Sequence, residues 1–308
     1  MIKDALFREE LRNMTSGTVL FDEPTDRYTS IGVGGKAAVM IFPQSAEELI
    51  RLFSYLQEME IPFIPVGNWT NIIVKDGGYR GAIICLNGLC EISVKWREDD
   101  MVSIYAEAGV VLSEIVNLSA NEALTGIEFC AGIPGSVGGA IRMNAGAYGS
   151  EIKDIVEWVN LLNKRGIILE IGRDELNFTY RNLDLPEKSI ITGASFLLRR
   201  GTGKEIRERI AEILSLRKKK HPLEYRSAGS IFKNPRGIPA GQLIDEIGLK
   251  GARIGEAKIS ERHGNFIVNL GDAKAGDILA LIDMVKTTVL EEKGITLETE
   301  VMIVGEDG

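Results

Sequence analysis

Apolar residues recur at helical spacing in a few well-marked stretches of this 308-residue chain, and between them lie short runs of strand length. Leu49, Leu52, Phe53, Leu56 and Met59 fall on one face, and Ser45-Ala46-Glu47-Glu48 before them reads as a capping box that opens the helix. Residues 4–13, 112–123, 239–247 and 277–292 predict further helices, with Gly248 closing the third of these. From Lys204 onward Ile206, Ile210, Ile213 and Leu214 mark an amphipathic helix that ends in Arg217-Lys218-Lys219-Lys220-His221-Pro222. Strands are predicted at 38–42, 63–66, 72–74, 82–86, 91–97, 101–108, 155–162, 167–171, 190–199, 266–270 and 297–304. There are no repeats and no low-complexity segment. The pattern changes from Lys204 onward, and the best domain boundary is near Gly201 to Gly203.

One stretch follows neither period. Residues 126–149 hold seven glycines in 24 positions, with Glu128 and Arg142 their only charges. Glycines at 132, 135, 138 and 139 remove the Cβ atoms from one run of backbone, which permits φ > 0 and close approach. They also leave N–H groups that can point at something large and partly anionic. A buried packing loop with tight turns is the alternative. The turn Gly67-Asn68-Trp69-Thr70-Asn71, between two strands, is either a phosphate cradle or a mere tight connection. Gly32-Val33-Gly34-Gly35-Lys36-Ala37 imitates a dinucleotide fingerprint, but a strand follows it where a helix is required, so a Rossmann site is rejected.

Composition narrows the function. Hydrophobic residues make up 44% and charged residues 26%, as in an ordinary globular protein long enough for two domains. A net charge of −8 argues against a general nucleic-acid binder. Cys85, Cys90 and Cys130 fit neither a disulfide framework nor a metal spacing, and no metal site is expected. The N-terminal residues are too charged for a signal peptide, and no apolar run reaches about 18 residues, so a cytoplasmic protein without a membrane partner is expected. With only His221 and His263 available, and His263 read as structural, a hydrolytic triad has little to draw on. Redox chemistry carried by a tightly held organic cofactor needs neither histidine nor metal. Three residues stand out as polar groups over such a cofactor: Arg181, Ser230 and Glu300. Each also has a plainer reading, as a surface ion pair, a turn serine and a solvent-facing strand position. The basic run at 217–220 either complements a helix dipole or clamps an anion.

Several motifs in order resemble one family. They are Tyr28-Thr29 with Gly34-Gly35-Lys36-Ala37, Gly132-Ile133-Pro134-Gly135-Ser136-Val137-Gly138-Gly139, Asn144-Ala145-Gly146-Ala147-Tyr148-Gly149, and Tyr180-Arg181. Further on come Ala228-Gly229-Ser230-Ile231-Phe232-Lys233-Asn234-Pro235, His263-Gly264-Asn265-Phe266-Ile267-Val268-Asn269 and Leu297-Glu298-Thr299-Glu300. Together they resemble the UDP-N-acetylenolpyruvoylglucosamine reductases, flavoenzymes that complete UDP-N-acetylmuramic acid for bacterial cell-wall peptidoglycan. The short link between Tyr180-Arg181 and the serine motif resembles the branch that lacks an extra substrate-covering loop.

The resemblance implies an FAD-binding fold of the vanillyl-alcohol oxidase (PCMH) type over residues 1–203, in two subdomains of about 1–86 and 87–203. Residues 204–308 would form an α+β substrate domain whose last strand, 297–304, carries Glu300. FAD would be held by Gly67, Asn68, Trp69, Thr70, Asn71, Gly126, Gly132, Ile133, Pro134, Gly135, Ser136, Gly139, Asn144 and Gly146. NADPH would supply the hydride, which passes from flavin N5 to the enolpyruvyl β-carbon. Arg181 and a protonated Glu300 would stabilise the resulting enolate, and Ser230 would protonate its α-carbon. Tyr180, Lys220 and Asn234 would bind the UDP-sugar, in a monomer. Trp69 departs from the family, which has glycine there; if the position needs φ > 0, tryptophan is strained by roughly 1–2 kcal/mol. Cys130 is read as packing rather than as a flavin link. An oxidase of the same flavin fold is the second enzymatic reading, and a non-catalytic dinucleotide or UDP-sugar binder the reading outside enzymes.

Overall fold

The computed structural model describes residues 4–235 and 237–308. Its contacts define two units. The first takes the chain to Phe21, then Val39–Asn68 and Gly81–Ser215; the second takes Asp22–Ala38, Trp69–Arg80 and Leu216–Gly308.

In the first unit, residues 19–21, 39–41 and 81–85 and the strand Phe63–Val66 lie side by side in that order. Phe63–Val66 runs parallel to its neighbour, with Phe63 opposite Ala82 and Val66 opposite Cys85. The helix Ala46–Glu58 buries Leu49, Leu52, Phe53 and Leu56 completely, as their spacing requires. Each such burial stabilises the fold by about 1.5–3 kcal/mol at most. The larger sheet has the antiparallel order Ile168–Gly172, Val156–Leu162, Ile190–Arg200, Met101–Glu107, Ile92–Trp96, and Leu124–Thr125 pairs with the end of its long middle strand. That middle strand buries its first seven residues without alternation. The reason is that it feeds two cores. Ile190 joins the cluster around Leu49 and Phe53, whereas Ile191, Ala194 and Phe196 join one built on Ile115, Val137 and Ile141.

The start of Ala46–Glu58 differs from the expected capping box. Ser45 does accept the Glu48 N–H, at 3.3 Å. The Glu48 carboxylate, however, takes the N–H of Gln44 at 2.8 Å, the N–H of Ser16 at 2.9 Å and the Thr15 hydroxyl at 2.6 Å. It thereby ties the N-terminal segment to the helix. Burial by itself would raise the pKa of this carboxyl, but the donors outweigh burial and hold it at about 2 against an ordinary 4.5. A depressed carboxylate pKa stabilises the fold above about pH 4.5, and the contribution, roughly 3 kcal/mol, is lost as pH falls toward 2. Denaturant unfolding at pH 7 and pH 3 should therefore show Glu48→Gln well below the parent at pH 7, with the gap reduced to about half at pH 3. An equal gap at both pH values would remove this account.

The second unit has a four-stranded antiparallel sheet in the order Arg226–Ser230, Phe266–Asn269, Ala257–Ile259, Arg253–Ile254. The helix Ala275–Lys293 lies against it, burying Ile278, Leu281, Ile282 and Val285 beside Ile231, Phe232 and Ile267. The Asp76 carboxylate caps that helix, accepting the N–H groups of Ala275 at 3.0 Å and Gly276 at 2.8 Å. Gly294 closes it with φ 67°, its N–H returning to the Leu290 carbonyl. Ile72–Val74 and Met302–Val304 form a parallel pair. The last strand is thus shorter than the predicted 297–304, and Glu300 precedes it. No helix among the described residues is long and apolar enough to cross a membrane.

Candidate active site

In the first unit the glycine-rich stretch is neither plain loop nor all ligand cradle. A short helix, Val137–Arg142, lies inside it, capped by Ser136, whose hydroxyl accepts the Gly139 N–H at 3.3 Å. Glycine content hid this helix from the sequence pattern. The Gly138 N–H bonds the Ala108 carbonyl at 2.9 Å, and a Cβ there would come within 2.9 Å of the Ala108 Cβ. Gly138 is thus bare for packing, and its N–H and that of Gly139 are used inside the protein, contrary to the expectation that both point at a ligand. The N–H groups of Gly126 and Ile133 are likewise bonded, to the Glu128 carboxylate and the Cys130 carbonyl. Cys130 itself is buried in the apolar core.

Other positions keep the cradle character. Gly132 and Gly135 have φ of 72° and 147°, conformations that side chains resist. A Cβ on Gly67 would lie 2.0 Å from the Ser136 hydroxyl oxygen, so only glycine lets the 67–68 backbone pass over Ser136. Bare main chain from two separate segments, meeting at a buried serine, fits a long anionic cofactor such as FAD.

Arg181 sits at the tip of a minimal hairpin. Phe178–Thr179 pairs with Asn182–Leu183, leaving Tyr180-Arg181 as a two-residue turn. Arg181 has φ 56°, a left-handed conformation normally given to glycine or asparagine. Holding an arginine there costs about 1 kcal/mol or more, and the surroundings fix it in place. Its Nη2 donates to the Gly146 carbonyl at 2.9 Å, and its guanidinium lies 5.2 Å from the half-exposed Tyr180 ring. Gly146 has to be glycine, because a Cβ would meet the Ser150 carbonyl at 2.7 Å and the Arg181 Nη1 at 3.2 Å.

Two residues secure the hairpin from below. Asn144, fully buried at φ 40°, donates to the Thr179 carbonyl at 3.0 Å and to Glu151 at 3.1 Å, and accepts the Lys153 N–H at 3.1 Å. Its side chain thus works within the protein. Arg142 Nη1 donates to the Asn182 side chain and the Leu183 carbonyl. The sequence marks Arg142 only as an isolated charge.

In the second unit the main chain of Glu300 lies against the segment that follows Ser230. Ser230 ends the strand Arg226–Ser230 opposite Phe266, just past a bulge at Gly229, whose φ is 75°. The Glu300 N–H donates to the carbonyl of Ile231, the next residue, at 2.8 Å, and Thr299 bridges Phe232. The Glu300 carbonyl accepts from the Asn71 side chain at 3.2 Å. Trp69 has the positive φ that the family's glycine foretold, 55°. Its ring is buried and 5.7 Å from that of Tyr28, and its carbonyl accepts the Ser30 N–H. Burying an indole stabilises by about 4 kcal/mol at most, which outweighs a turn strain of about 1–2 kcal/mol.

Asn234 accepts the Ala240 N–H at 2.9 Å and so starts the helix Ala240–Glu246. Lys220 ends the helix Gly203–Lys220 and is exposed. Beside it, burial first and then the charges of Arg217, His263 and Lys220 push the His221 pKa down to about 4, so the ring is neutral at pH 7. His263 is lowered as well, by burial and then by Lys250 and Lys220, and its Nδ1 accepts the Asn265 N–H at 3.2 Å. Among the described residues no group of three His, Cys, Asp or Glu could hold a metal ion.

The first unit is that of an FAD-binding protein: residues 37–172 match the family model described as an FAD binding domain. Residues 221–304 match the model for the C-terminal domain of UDP-N-acetylenolpyruvoylglucosamine reductase. The chain is 53% identical to the UDP-N-acetylenolpyruvoylglucosamine reductase of Syntrophus aciditrophicus, over 100% of its own length and 99% of the relative's. It is 45% identical to that of Caldanaerobacter subterraneus over 95% of this chain and 96% of the other. Among solved structures, the Thermus caldophilus reductase superposes with a TM-score of 0.77 at 36% identity, covering 93% of this chain and 98% of that one. The chain belongs to the UDP-N-acetylenolpyruvoylglucosamine reductase family, with a PCMH-type FAD-binding domain and the family's C-terminal domain.

Proposed function

We propose that this chain is an NADPH-dependent flavoenzyme that reduces the enolpyruvyl group of UDP-N-acetylenolpyruvoylglucosamine to give UDP-N-acetylmuramate, a step in peptidoglycan synthesis. Beyond family membership, the observation that carries the reading is the junction at 2.8 Å between the Glu300 N–H and the Ile231 carbonyl, which joins the main chain of Glu300 to the residue that follows Ser230. The Gly67-Asn68 and 132–136 backbone, with Ser136, would hold the FAD. When bound there, FAD would supply the hydride-transfer chemistry between NADPH and the substrate carbon.

The remaining work falls to side chains. Hydride arrival at the β-carbon drives negative charge onto the α-carbon and its carboxylate, and fixed donors stabilise that charge best. Arg181 suits this role because its guanidinium is permanently charged and held by the Gly146 carbonyl. The Glu300 carboxyl donates a hydrogen bond to the same enolate. The Ser230 hydroxyl gives its proton to the α-carbon, which completes the addition of H–H across the double bond. Tyr180, Lys220 and Asn234 are assigned to substrate binding, Lys220 as an exposed cation for phosphate or carboxylate.

We place the functional division at 203/204, with FAD binding in residues 1–203 and substrate binding in 204–308. The two family models fall on either side of it. A monomer in the cytoplasm, where nucleotide sugars are made, completes the reading. Purified protein should be yellow with absorption near about 450 nm, bleach on adding NADPH, and recover its colour when the enolpyruvyl sugar is added anaerobically. An oxidase of the same fold would bleach with an alcohol substrate and recover only with oxygen. A mere binder would not bleach at all.

A further inference from the structure

We infer that Asn265 is a positioning residue for the reaction, holding Ser230 and Glu300 in place through the main chain of Ile231 and Phe232. This rests on the reading of Ser230 as proton donor and Glu300 as enolate partner. It assigns Asn265 work that neither touches substrate nor belongs to the flavin site.

Asn265 is 3% exposed, deep enough that its amide must find partners or destabilise the fold. It finds both on one residue. Its Oδ1 accepts the Phe232 N–H at 2.8 Å, and its Nδ2 donates to the Phe232 carbonyl at 2.8 Å. A side chain that bonds both backbone groups of one residue acts as a strand partner. Such a partner is needed at this point. The ladder between Arg226–Ser230 and Phe266–Asn269 ends at the Ser230–Phe266 pair, directly after the bulge. The Asn265 carbonyl carries it one residue further by accepting the Ile231 N–H at 2.9 Å, and the amide side chain one more.

The chain leaving Ser230 is therefore fixed for two residues by Asn265 alone on that side. The Ile231 carbonyl is what the Glu300 N–H bonds, and Phe232 is bridged to Thr299. Both proposed reactive side chains thus hang from the segment that one amide secures. An apolar residue of similar size would fill the space without needing partners; the amide's distinct contribution is geometry. Displacing a catalytic group by about 1 Å lowers rate by roughly 10²-fold, so a loosened 231–232 segment is felt in the chemistry.

The test separates positioning from mere stability. In Asn265→Ala, bleaching of the flavin by NADPH should stay within about 2-fold of the parent, while recovery with the enolpyruvyl sugar slows by at least about 10-fold. In a Ser230→Ala/Glu300→Gln background, followed over hours, the same change should add less than about 2-fold, because the groups it positions are gone. In the flavin-free chain, amide hydrogen exchange at Ile231, Phe232 and Glu300 should quicken.

Asn265→Asp guards against simple misfolding. Its ionised carboxylate cannot donate to the Phe232 carbonyl, but its protonated form can, so its recovery rate relative to the parent should rise as pH falls. His263, whose Nδ1 accepts the Asn265 N–H, and His221, whose ring packs edge-on against that of His263, are titratable groups that face this position, and a carboxylate at 265 also acts on them. A flat ratio, or a full added factor in the double-variant background, overturns the role of Asn265. A background variant that recovers as fast as the parent overturns the Ser230 and Glu300 reading, and this inference with it.

Discussion

Ser230→Ala should leave flavin bleaching by NADPH nearly unchanged and slow recovery with the enolpyruvyl sugar by at least about 10²-fold, the low end for a lost general acid. The separation of the two half-reactions is the point. In the proposed reaction Ser230 has no part in hydride transfer from nicotinamide, so a loss confined to the second half would identify it with protonation of the α-carbon. Its place supports the same view. The bulge at Gly229, φ 75°, sets off the last residue of the strand, and removing one hydroxyl from a half-buried rung leaves the ladder to Phe266 intact. Stopped-flow traces showing both half-reactions at parental rates would sink the assignment.

Arg181→Lys is the second large effect. It keeps the charge, the Cβ and the left-handed turn, so melting temperature should move by only a few degrees. What it removes is the planar fork, one arm of which bonds the Gly146 carbonyl at 2.9 Å. Losing a preorganised donor of this kind slows reactions by about 10²–10³-fold. The recovery half-reaction should fall by that factor, with bleaching by NADPH nearly intact. Recovery within about 3-fold of the parent would show that charge alone suffices and that the fork is irrelevant.

Much of this was legible in the residues. The helix that opens after Ser45 followed from its apolar spacing, and the strand expected at 190–199 is found at Ile190–Arg200. The family's glycine at position 69 foretold the backbone conformation that Trp69 adopts. What escaped has physical causes. The helix Val137–Arg142 contains two glycines in six residues, which lowers helix propensity and erases periodicity. Strands of two residues, such as Phe178–Thr179, are too short to show a period. The last strand was overestimated because Leu297-Glu298-Thr299-Glu300 alternates like a strand, although only Met302–Val304 is one. Arg142, Asn144 and Asn265 act through main-chain groups far along the chain, and no local pattern announces such a partner.

The chain crosses from one contact unit to the other five times, at 21/22, 38/39, 68/69, 80/81 and 215/216. A polypeptide laced in this way does not come apart into portable pieces. A fragment beginning at residue 204 would lack Ile31, Val33 and Ile73, all members of the apolar cluster that includes Phe232 and Leu281, and Met302–Val304 would lose its parallel neighbour. Shuffling the C-terminal third onto another flavoprotein would thus carry over Ser230 and Glu300, the proposed reactive pair, without the apolar neighbours that pack beneath their segment. Any working transplant of this unit has to bring residues 22–38 and 69–80 along with its C-terminal portion.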